Sequence, residues 1–273
     1  MTQEELRLIG LVQLKIMDEV HRLCVEHDIT YYMIAGTLLG SVRHGGFIPW
    51  DVDIDIGMPR RDYEKFKTVC QKYLSDEYRY CDHLNMKWYP RPHALVCHTK
   101  SKIRMKYDPY NPVSEDHGIY IDVFPLDNAP DDMKCRAKQA KALYKLSRFK
   151  QYRMPYSYSK NSIKRYLHYA VSGLLSVVPV KAINIYQQKL MKKYCETPTE
   201  CICSMASRYS YDKQCLSREI YGTPTLMPFE GREYYGPQKA GEYLKRLYGD
   251  YMQFPPLEKR LANLEIYSSV EYL

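Results

Sequence analysis

Apolar and polar positions recur along the chain with two periods, and each period predicts one kind of element. From residue 4 to residue 27, apolar side chains return every three to four positions, which predicts an amphipathic first helix. Residues 31–35 form a short aromatic and β-branched run, which predicts a strand. Residues 37–42 are predicted to form a short helix that ends at Gly45 and Gly46.

The same patterns continue through the rest of the chain and predict an α+β fold. Pro59 opens the next predicted helix, because proline favours a first helical turn. Further strands are predicted at 94–98, 101–105 and 118–124, near Ile220 and at 226–229, and further helices within 130–195 and at 239–247. We therefore predict a catalytic core at 1–130, a basic helical insert at 131–200, and a segment at 201–273 that packs back on the core.

Residues 50–56 read WDVDIDI and alternate carboxylates with apolar side chains. On one strand, Asp51, Asp53 and Asp55 would line a single face at spacings of ~7 Å, where three like charges repel one another. Carboxylate oxygens are ligands that hard cations prefer. The stretch therefore predicts a metal site, and a solvated edge strand is the alternative.

Composition narrows the class of protein and its compartment. The chain has 273 residues, of which 45% are hydrophobic and 26% charged, as in ordinary soluble enzymes. Its start lacks the basic and apolar regions of a secretory signal, so we expect a cytoplasmic protein. The nine cysteines are odd in number and irregularly spaced, which favours reduced thiols. A zinc site is a weaker alternative, because this set matches no common spacing: Cys195, Cys201, Cys203 and Cys215.

Positive charge is concentrated in one part of the chain. The net charge is +8, yet residues 133–195 contain no Asp or Glu and carry fifteen Lys and Arg. Within them, residues 166–180 are apolar but too few to span a bilayer. The segment predicts peripheral contact with an anionic membrane or a polyphosphate ligand, and lysines that merely face water are the alternative. Nucleic-acid binding is not expected, because the remainder is acidic and no binding fold is recognisable.

Three motifs follow one another in an order that resembles nucleotidyltransferases of the polymerase-β type. Gly36 and Thr37 stand at a helix start, Asp53 and Asp55 on the next strand, and Asp122 on a later strand. A helix N-terminus that opens with glycine lets backbone N–H groups approach a phosphate, and a threonine hydroxyl adds a donor. The resemblance implies a mixed sheet flanked by helices, and Mg²⁺ or Mn²⁺ held by the three aspartates.

The intervening residues resemble a narrower family. Residues 35–56, AGTLLGSVRHGGFIPWDVDIDI, closely resemble the defining segment of the LicD family, and the likeness continues at 121–127, 227–231 and 243–252. Members of that family and the related fukutin-type proteins move a phospho-alcohol from a CDP-activated donor to a sugar hydroxyl. Bacterial members are typically described as phosphorylcholine transferases acting on teichoic acid, lipopolysaccharide or capsule precursors.

The resemblance implies transfer of phosphocholine to a lipid-linked or polymeric glycan, with release of CMP, at the inner face of the cell membrane. Transfer of glycerol or ribitol phosphate by the same chemistry is an alternative, and so is a metal-dependent glycosyltransferase that uses a nucleotide-sugar. Val52 departs from the family, which usually has a third aspartate there. On a strand Val52 would face away from Asp53 and Asp55, so we expect activity to be retained; an inactive scaffold is the alternative that Val52 raises.

The site residues implied by the resemblance have distinct roles. Asp53 and Asp55 are expected to bind metal, and Asp122 to be a shared ligand or the base. Asp51 is expected to orient metal-bound water or to pair with Arg43. The residues expected to bind the donor are Gly36, Thr37, Arg43, His44, Trp50, Asp51, Arg60, Asp127 and Glu230.

Several of these expectations have open alternatives. Arg43 and His44 are expected to contact phosphates, since a guanidinium matches phosphate geometry. Arg60 could equally be an exposed residue of a first helical turn, and Trp50 either stacks on a base or packs in the core. The 28 tyrosines could hold a choline cation by cation–π attraction, although packing is the commoner role.

Overall fold

The chain contains both helices and strands in a computed structural model that describes residues 3–51, 53–86, 89–105, 118–155, 157, 159, 161–207, 209–264 and 267–272. The helices are α1 (Gln3–Glu26), α2 (Ala35–His44), α3 (Arg60–Tyr73), α4 (Met133–Arg153), α5 (Ser162–Leu174), α6 (Val180–Met191), α7 (Tyr211–Gln214), α8 (Arg218–Tyr221), α9 (Ala240–Tyr248) and α10 (Leu257–Leu264). The strands are β1 (Tyr32–Met33), β2 (Asp55–Pro59), β3 (Tyr78–Cys81), β4 (Ala94–His98), β5 (Ser101–Met105), β6 (Tyr120–Ala129), β7 (Cys201–Cys203), β8 (Cys215–Ser217), β9 (Thr225–Phe229), β10 (Arg232–Gly236) and β11 (Tyr267–Tyr272).

A mixed sheet organises the fold, with its strands in the order β1-β2-β6-β4-β3. β2 and β6 run parallel, whereas β1, β4 and β3 pair with their neighbours in the antiparallel sense. The second half of β6 pairs with β7, and β7 with β8. The predicted α+β architecture with a mixed sheet flanked by helices is confirmed, while its kinship with nucleotidyltransferases stays a prediction.

The core lies between the sheet and the helices α1 and α3, which pack against each other and against β6. Ile16 and Met17 of α1, Phe66 of α3, and Ile121 and Val123 of β6 are fully buried. Several tyrosines are buried as deeply and act as packing residues, the alternative weighed above. They are Tyr31, Tyr89, Tyr221, Tyr234 and Tyr243.

The basic segment forms α4, α5 and α6, with short 3₁₀ turns at Leu175–Val177 and Lys192–Tyr194. Two side chains of α6 attach it to the core: Asn184 Nδ2 donates to the Tyr89 carbonyl at 2.9 Å, and Gln188 Nε2 to the Pro92 carbonyl at 2.8 Å. No helix in the described part of the chain is by itself long and apolar enough to cross a membrane; α5 with its 3₁₀ turn and α6 meet that test only together, bent by 79°.

The predicted strand near Ile220 is wrong, because those residues form α8. Ser217 caps that helix through its side-chain oxygen, which accepts from the Glu219 N–H at 3.3 Å. Serine competes well for this position, since it satisfies an N–H that has no partner within the helix. The cap thus outweighs the strand preference of a single isoleucine.

Candidate functional site

A cavity of about 310 Å³ opens where β2, β6 and the first turn of α2 meet. Four carboxylates lie in its wall, namely Asp51, Asp53, Asp55 and Asp122. A concave pocket with a few convergent polar groups is the usual form of a ligand site. The cavity therefore brings together the three aspartates predicted to bind metal and the one predicted to assist them.

The parallel pairing of β2 and β6 places two of these carboxylates side by side. Asp55 stands opposite Asp122 in the register, and the Asp122 N–H donates to the Ile54 carbonyl at 2.9 Å. Their successors Ile56 and Val123 are fully buried, because neighbouring residues of a strand point to opposite faces. Burial of these apolar residues thus directs both carboxylates into the cavity.

Asp51 and Asp53 reach the cavity from outside the strand, so the prediction of three aspartates on one strand is wrong. β2 begins only at Asp55, and the Asp51 N–H donates to the Ile48 carbonyl at 2.9 Å in an isolated bridge. Aspartate forms strands poorly and favours turns, which explains the late start of β2. The predicted orientation of Val52 falls outside the described residues.

Gly36 and Thr37 join the first turn of α2 to this carboxylate segment. A Cβ on Gly36 would lie 3.3 Å from Asp51 Oδ2 and 3.7 Å from Asp53 Oδ1, so both carboxylates approach the helix start. Thr37 is buried, and its hydroxyl accepts from the Asp55 N–H at 2.7 Å and faces the Asp53 carbonyl at 3.5 Å. The predicted phosphate contact of Thr37 is therefore corrected: its hydroxyl holds the aspartate segment against α2.

His93 is a site residue that the sequence analysis missed. Its Nε2 lies 2.6 Å from Asp122 Oδ1, and its ring packs 4.1 Å from that of Phe124. Burial lowers the pKa of His93, although the hydrogen bond to Asp122 opposes that shift. A neutral imidazole then donates to the carboxylate through Nε2. A single histidine before a strand carries no local signal, and only the β4–β6 pairing brings it to Asp122.

Aromatic and cationic side chains complete the cavity, and they too were missed. Arg91 lies with its guanidinium carbon 5.2 Å above the ring of Tyr120. Tyr209 and Tyr248 also lie in the cavity wall, where their rings pack edge to face with centroids 5.9 Å apart. Burial raises the pKa of Tyr120 and of Tyr248, so both phenols stay neutral and can donate hydrogen bonds.

The donor set in the cavity fits a hard cation held jointly by protein and substrate. Among the residues that the structure describes, no three Asp, Glu, His or Cys side chains converge closely enough to hold a metal by themselves. Mg²⁺ is usually bound through one or two carboxylates together with substrate phosphates and water. Four carboxylate side chains around one cavity supply such ligands, so Mg²⁺ or Mn²⁺ stays a prediction that the chemistry of these residues supports.

Arg43, His44 and Trp50 form a cluster of their own, and none of them is in the cavity wall as described. Arg43 Nη1 donates to the Tyr251 carbonyl at 2.8 Å, and its Nε donates to His44 Nε2 at 3.0 Å. The ring of Trp50 stands at 87° to that of His44 and packs on the core. Packing is thus the role of Trp50 that the structure describes, and donor contacts of Arg43 and His44 remain predictions.

Arg60 and Asp127 are corrected, because they bind each other rather than the cavity. Arg60 Nε and Nη2 donate to Asp127 Oδ1 and Oδ2 at 2.7 and 2.8 Å, and both side chains are buried. Arg60 Nη1 also donates to Gln188 Oε1 of α6 at 3.1 Å. An exposed position for Arg60 is therefore wrong as well. Burial demands such pairing, since an unpaired charge would be very costly there.

Glu230 occupies the turn between β9 and β10, away from the cavity wall as described. Its Oε1 accepts from the Phe47 N–H at 3.0 Å, and its own N–H donates to the Gly45 carbonyl at 2.8 Å. These bonds fasten the loop after α2 to the hairpin. Glu230 thus has a structural role near the site, and its contact with the donor stays a prediction.

The cysteines proposed for zinc do not assemble. Cys203 and Cys215 face each other on β7 and β8, whereas Cys195 Sγ lies 3.6 Å from Asp127 Oδ1. Because the described residues hold no metal-binding group of three, the zinc alternative lacks a site in that part of the chain. All nine cysteines are free thiols.

Comparison with known proteins now adds to this geometry. A family profile described as "LicD/FKTN/FKRP, nucleotidyltransferase domain" matches residues 28–171, more than half of the chain and all four cavity carboxylates. The chain belongs to the LicD family. The basic segment up to residue 171 also lies within the matched part.

Relatives with printed activities extend this comparison over different lengths. The lipopolysaccharide cholinephosphotransferase LicD of Haemophilus influenzae is 29% identical over 260 residues, which is 93% of each chain. The ribitol 5-phosphate transferase FKRP of Mus musculus and that of Homo sapiens are each 47% identical over 34 residues, 12% of this chain and 7% of theirs. The bacterial LicD protein therefore matches this chain almost from end to end, whereas the mammalian proteins match one short segment.

Proposed function

We propose that this protein transfers a phospho-alcohol, with phosphocholine as first choice, from a CDP-activated donor to a sugar hydroxyl of a cell-surface glycan precursor, releasing CMP. The observation that carries the proposal is the convergence of four carboxylates on the N-terminus of α2 in one cavity. The near full-length similarity to a cholinephosphotransferase supports it. The short similarity to ribitol phosphate transferases keeps polyol phosphates as the second candidate.

The donor diphosphate would lie against the carboxylates and the start of α2. Of Asp53, Asp55 and Asp122, one or two carboxylates at a time would hold Mg²⁺ or Mn²⁺, with donor phosphate oxygens and water as the other ligands, and Asp51 would orient that water. When bound, the metal neutralises charge that develops on the phosphate oxygens. The first N–H groups of α2 add positive potential at the same place, since a helix start favours anions. Arg91 lies in the cavity wall and would supply a positive charge to a phosphate oxygen.

Asp122 would also accept the proton of the acceptor hydroxyl. The hydroxyl oxygen bonds to the alcohol-bearing phosphorus, the bond from that phosphorus to the oxygen of CMP breaks, and the hydroxyl proton passes to the carboxylate. His93 fixes the orientation of Asp122 through the 2.6 Å hydrogen bond to Oδ1. We therefore assign His93 as a positioning residue, since it acts through Asp122.

A choline headgroup would find aromatic faces in this cavity. Tyr209 and Tyr248 offer rings at right angles, and a quaternary ammonium is attracted to such faces by ~0.5–2 kcal/mol per ring. Arg91 already covers one face of Tyr120, so we place the ammonium at the Tyr209–Tyr248 pair. A polyol would instead hydrogen-bond to the phenol groups of the same tyrosines.

The enzyme is also proposed to act in the cytoplasm, at the inner face of the cell membrane. Nine free thiols fit a reducing compartment. The acceptor is proposed to be lipid-linked or polymeric, as for the bacterial relative named after lipopolysaccharide.

The test measures CMP release from CDP-choline, CDP-glycerol and CDP-ribitol side by side, with Mg²⁺ or Mn²⁺ and a glycolipid extract of the source organism as acceptor. We expect CDP-choline to be preferred, and Asp53→Asn and Asp55→Asn to lower the rate by at least about hundredfold. Asp76→Asn is the matched control, because Asp76 is exposed and outside the cavity wall. Activity with a polyol donor alone would refute phosphocholine; unchanged rates in both site variants would refute the proposed site.

Thermal unfolding with Mn²⁺ and CDP-choline separates an enzyme from an inactive scaffold. We expect the ligands to raise the melting temperature of the wild type and of Asp76→Asn, and to raise that of Asp53→Asn much less, because ligand binding stabilises the folded state. Equal shifts in all three proteins would favour a scaffold that binds elsewhere.

A further inference from the structure

Helix α5 and the 3₁₀ turn after it carry their apolar side chains outward. The four most exposed large apolar side chains in the described part of the chain all lie here: Val177 at 84%, Leu174 at 80%, Ile163 at 77% and Tyr166 at 69%. The exposed Leu167 and Ala170 lie on the same side of the helix. Ile163, Leu167, Ala170, Leu174 and Val177 follow one another at steps of three or four residues, and Tyr166 lies three residues after Ile163 and four before Ala170. Side chains so spaced form one stripe along a helix. We call these six residues the α5 stripe.

The opposite face of α5 is polar, and this face contacts the protein. His168 Nε2 lies 3.0 Å from the Met154 carbonyl, and Ser172 Oγ donates to the Arg153 carbonyl at 3.1 Å. A surface helix of a protein in water normally buries its apolar stripe and exposes its polar side. In α5 that arrangement is reversed, so water is not the environment for which the stripe is suited.

A polar group is also buried, and apolar side chains are also exposed, where α4 packs against α6. Lys150 is buried there, and its ammonium donates to Asn184 Oδ1 at 3.1 Å and to Gln187 Oε1 at 2.7 Å. On the outside, Tyr144 of α4 and Tyr186 of α6 are more than half exposed. Buried polar groups and exposed large apolar groups thus occur on α4 and α6 as well, so the exposure of apolar side chains is not confined to α5.

Charge identifies what covers the stripe. Residues 133–195 contain no acidic side chain, and Lys164 and Lys181, close to the stripe in sequence, are exposed. A second copy of this chain would bring the same positive charge to the contact and be repelled. An anionic lipid surface supplies both an apolar layer and the opposite charge, and basic residues near such a surface each contribute about 1 kcal/mol.

We propose that the α5 stripe docks this protein on an anionic lipid bilayer, with α5 lying in the plane of the interface. The 13 residues of α5 measure ~20 Å, short of the ~30 Å of a hydrocarbon core, so the helix lies on the bilayer rather than crossing it. Its apolar side enters the boundary between headgroups and acyl chains, and the lysines stay at the headgroups. This docking surface is additional to the proposed transferase activity.

The experiment is co-sedimentation of the full chain with vesicles, either phosphatidylcholine alone or phosphatidylcholine containing about one quarter phosphatidylglycerol. We expect binding to the anionic vesicles that weakens as salt is added. Ile163→Gln combined with Leu174→Gln is expected to lower the partition coefficient by about tenfold or more, because two large apolar side chains no longer enter the bilayer. Leu8→Gln combined with Leu11→Gln is the matched control, since these exposed leucines lie on α1.

Each outcome decides the proposal. Loss of binding in the stripe variant, with the control bound as the wild type is, supports it. A wild-type protein that stays in the supernatant while the anionic vesicles sediment overturns it, and so does a stripe variant that sediments with these vesicles as fully as the wild type does. A wild type that is dimeric by light scattering, binds no vesicles and becomes monomeric in the stripe variant assigns the stripe to a second copy instead.

Folding and function are separated in the same design. Thermal unfolding checks that the stripe variant is folded, and Val177→Gln, in the 3₁₀ turn, provides a milder second variant with the same expected direction. Vesicle binding requires no donor, metal or acceptor, so a failure here leaves the proposed transferase activity untouched, and a failure of that activity leaves this result standing.

Discussion

Lys150 is a buried lysine with neutral hydrogen-bond partners, and we predict that its replacement changes how stability depends on pH. Its side chain is 5% exposed, and burial lowers its pKa from 10.5 to about 8. Below pH 8 the ammonium is charged in both the folded and the unfolded chain, so the folded state bears the full cost of burying it. Between pH 8 and 10.5 only the unfolded chain stays protonated, so stability rises with pH there.

The size of the effect follows from the difference of 2.5 between those two pKa values. At 1.36 kcal/mol per pKa unit, burial of the charged ammonium lowers the stability of the folded state by about 3 kcal/mol at neutral pH. Between pH 7.5 and 9.5, roughly 2 kcal/mol of that cost is relieved. Lys150→Met removes the titration, while the loss of donors to Asn184 and Gln187 adds a cost that does not depend on pH.

Urea unfolding of wild type and Lys150→Met between pH 7.5 and 9.5 measures this difference. We expect the stability of the wild type relative to the variant to increase by about 2 kcal/mol over that range. Buried cysteines and tyrosines titrate in both proteins, so their effects cancel in the comparison. Lys145→Met, at an exposed position of the same helix, is the control, and its free energy of unfolding should change with pH as that of the wild type does. Parallel profiles for Lys150→Met would refute the reasoning.

Three further predictions concern the buried pair and the cavity. Asp127→Asn should lower the free energy of unfolding by about 3–5 kcal/mol, because it removes the buried counter-charge of Arg60 and leaves only the half-exposed Glu64, at 3.3 Å, as an ion-pair partner; urea unfolding tests this, and a loss below 1 kcal/mol would contradict it. His93→Gln should lower kcat for CMP release by about 10–100-fold with little change in the KM of the donor, because Asp122 loses its orientation; a change confined to KM would speak against positioning. Gly36→Ala should lower CMP release while leaving the melting temperature nearly unchanged, since the new methyl group would lie 3.3 Å from Asp51 Oδ2 and displace that carboxylate by a few tenths of an ångström; a variant as active as the wild type would contradict the geometry.

Local pattern predicted those elements whose side chains repeat regularly. The helical spacing of residues 4–27 corresponds to α1, and the strands predicted at 94–98 and 101–105 correspond to β4 and β5. The cluster of carboxylates was also predictable, although for a partly wrong reason. Apolar alternation suggested one strand, yet the turn preference of aspartate delays β2 to Asp55, and a loop delivers Asp51 and Asp53 instead.

The partners of site residues could not be predicted, because they depend on long-range pairing. Arg60 and Asp127 are 67 residues apart, and only the β2–β6 pairing with α3 beside it brings them together. His93 reaches Asp122 through β4, from 29 residues away. Sequence patterns relate residues only a few positions apart, so they could not predict these contacts. The Arg60 guanidinium, expected to bind the donor, therefore pairs with the buried Asp127 carboxylate instead.

Strand β6 also sets a length scale for the molecule. The first half of β6 places Asp122 in the cavity. Its second half places Asp127 against Arg60, which also donates a hydrogen bond to Gln188 of α6. The two aspartates are about 17 Å apart along the strand. With α5 docked on a lipid surface as proposed, α5 and α6, which both pack on α4, would hold the cavity at a set height above the bilayer. If the acceptor is lipid-linked, as proposed, we expect the enzyme to prefer hydroxyl groups at that height over chemically identical hydroxyl groups nearer to or farther from the bilayer.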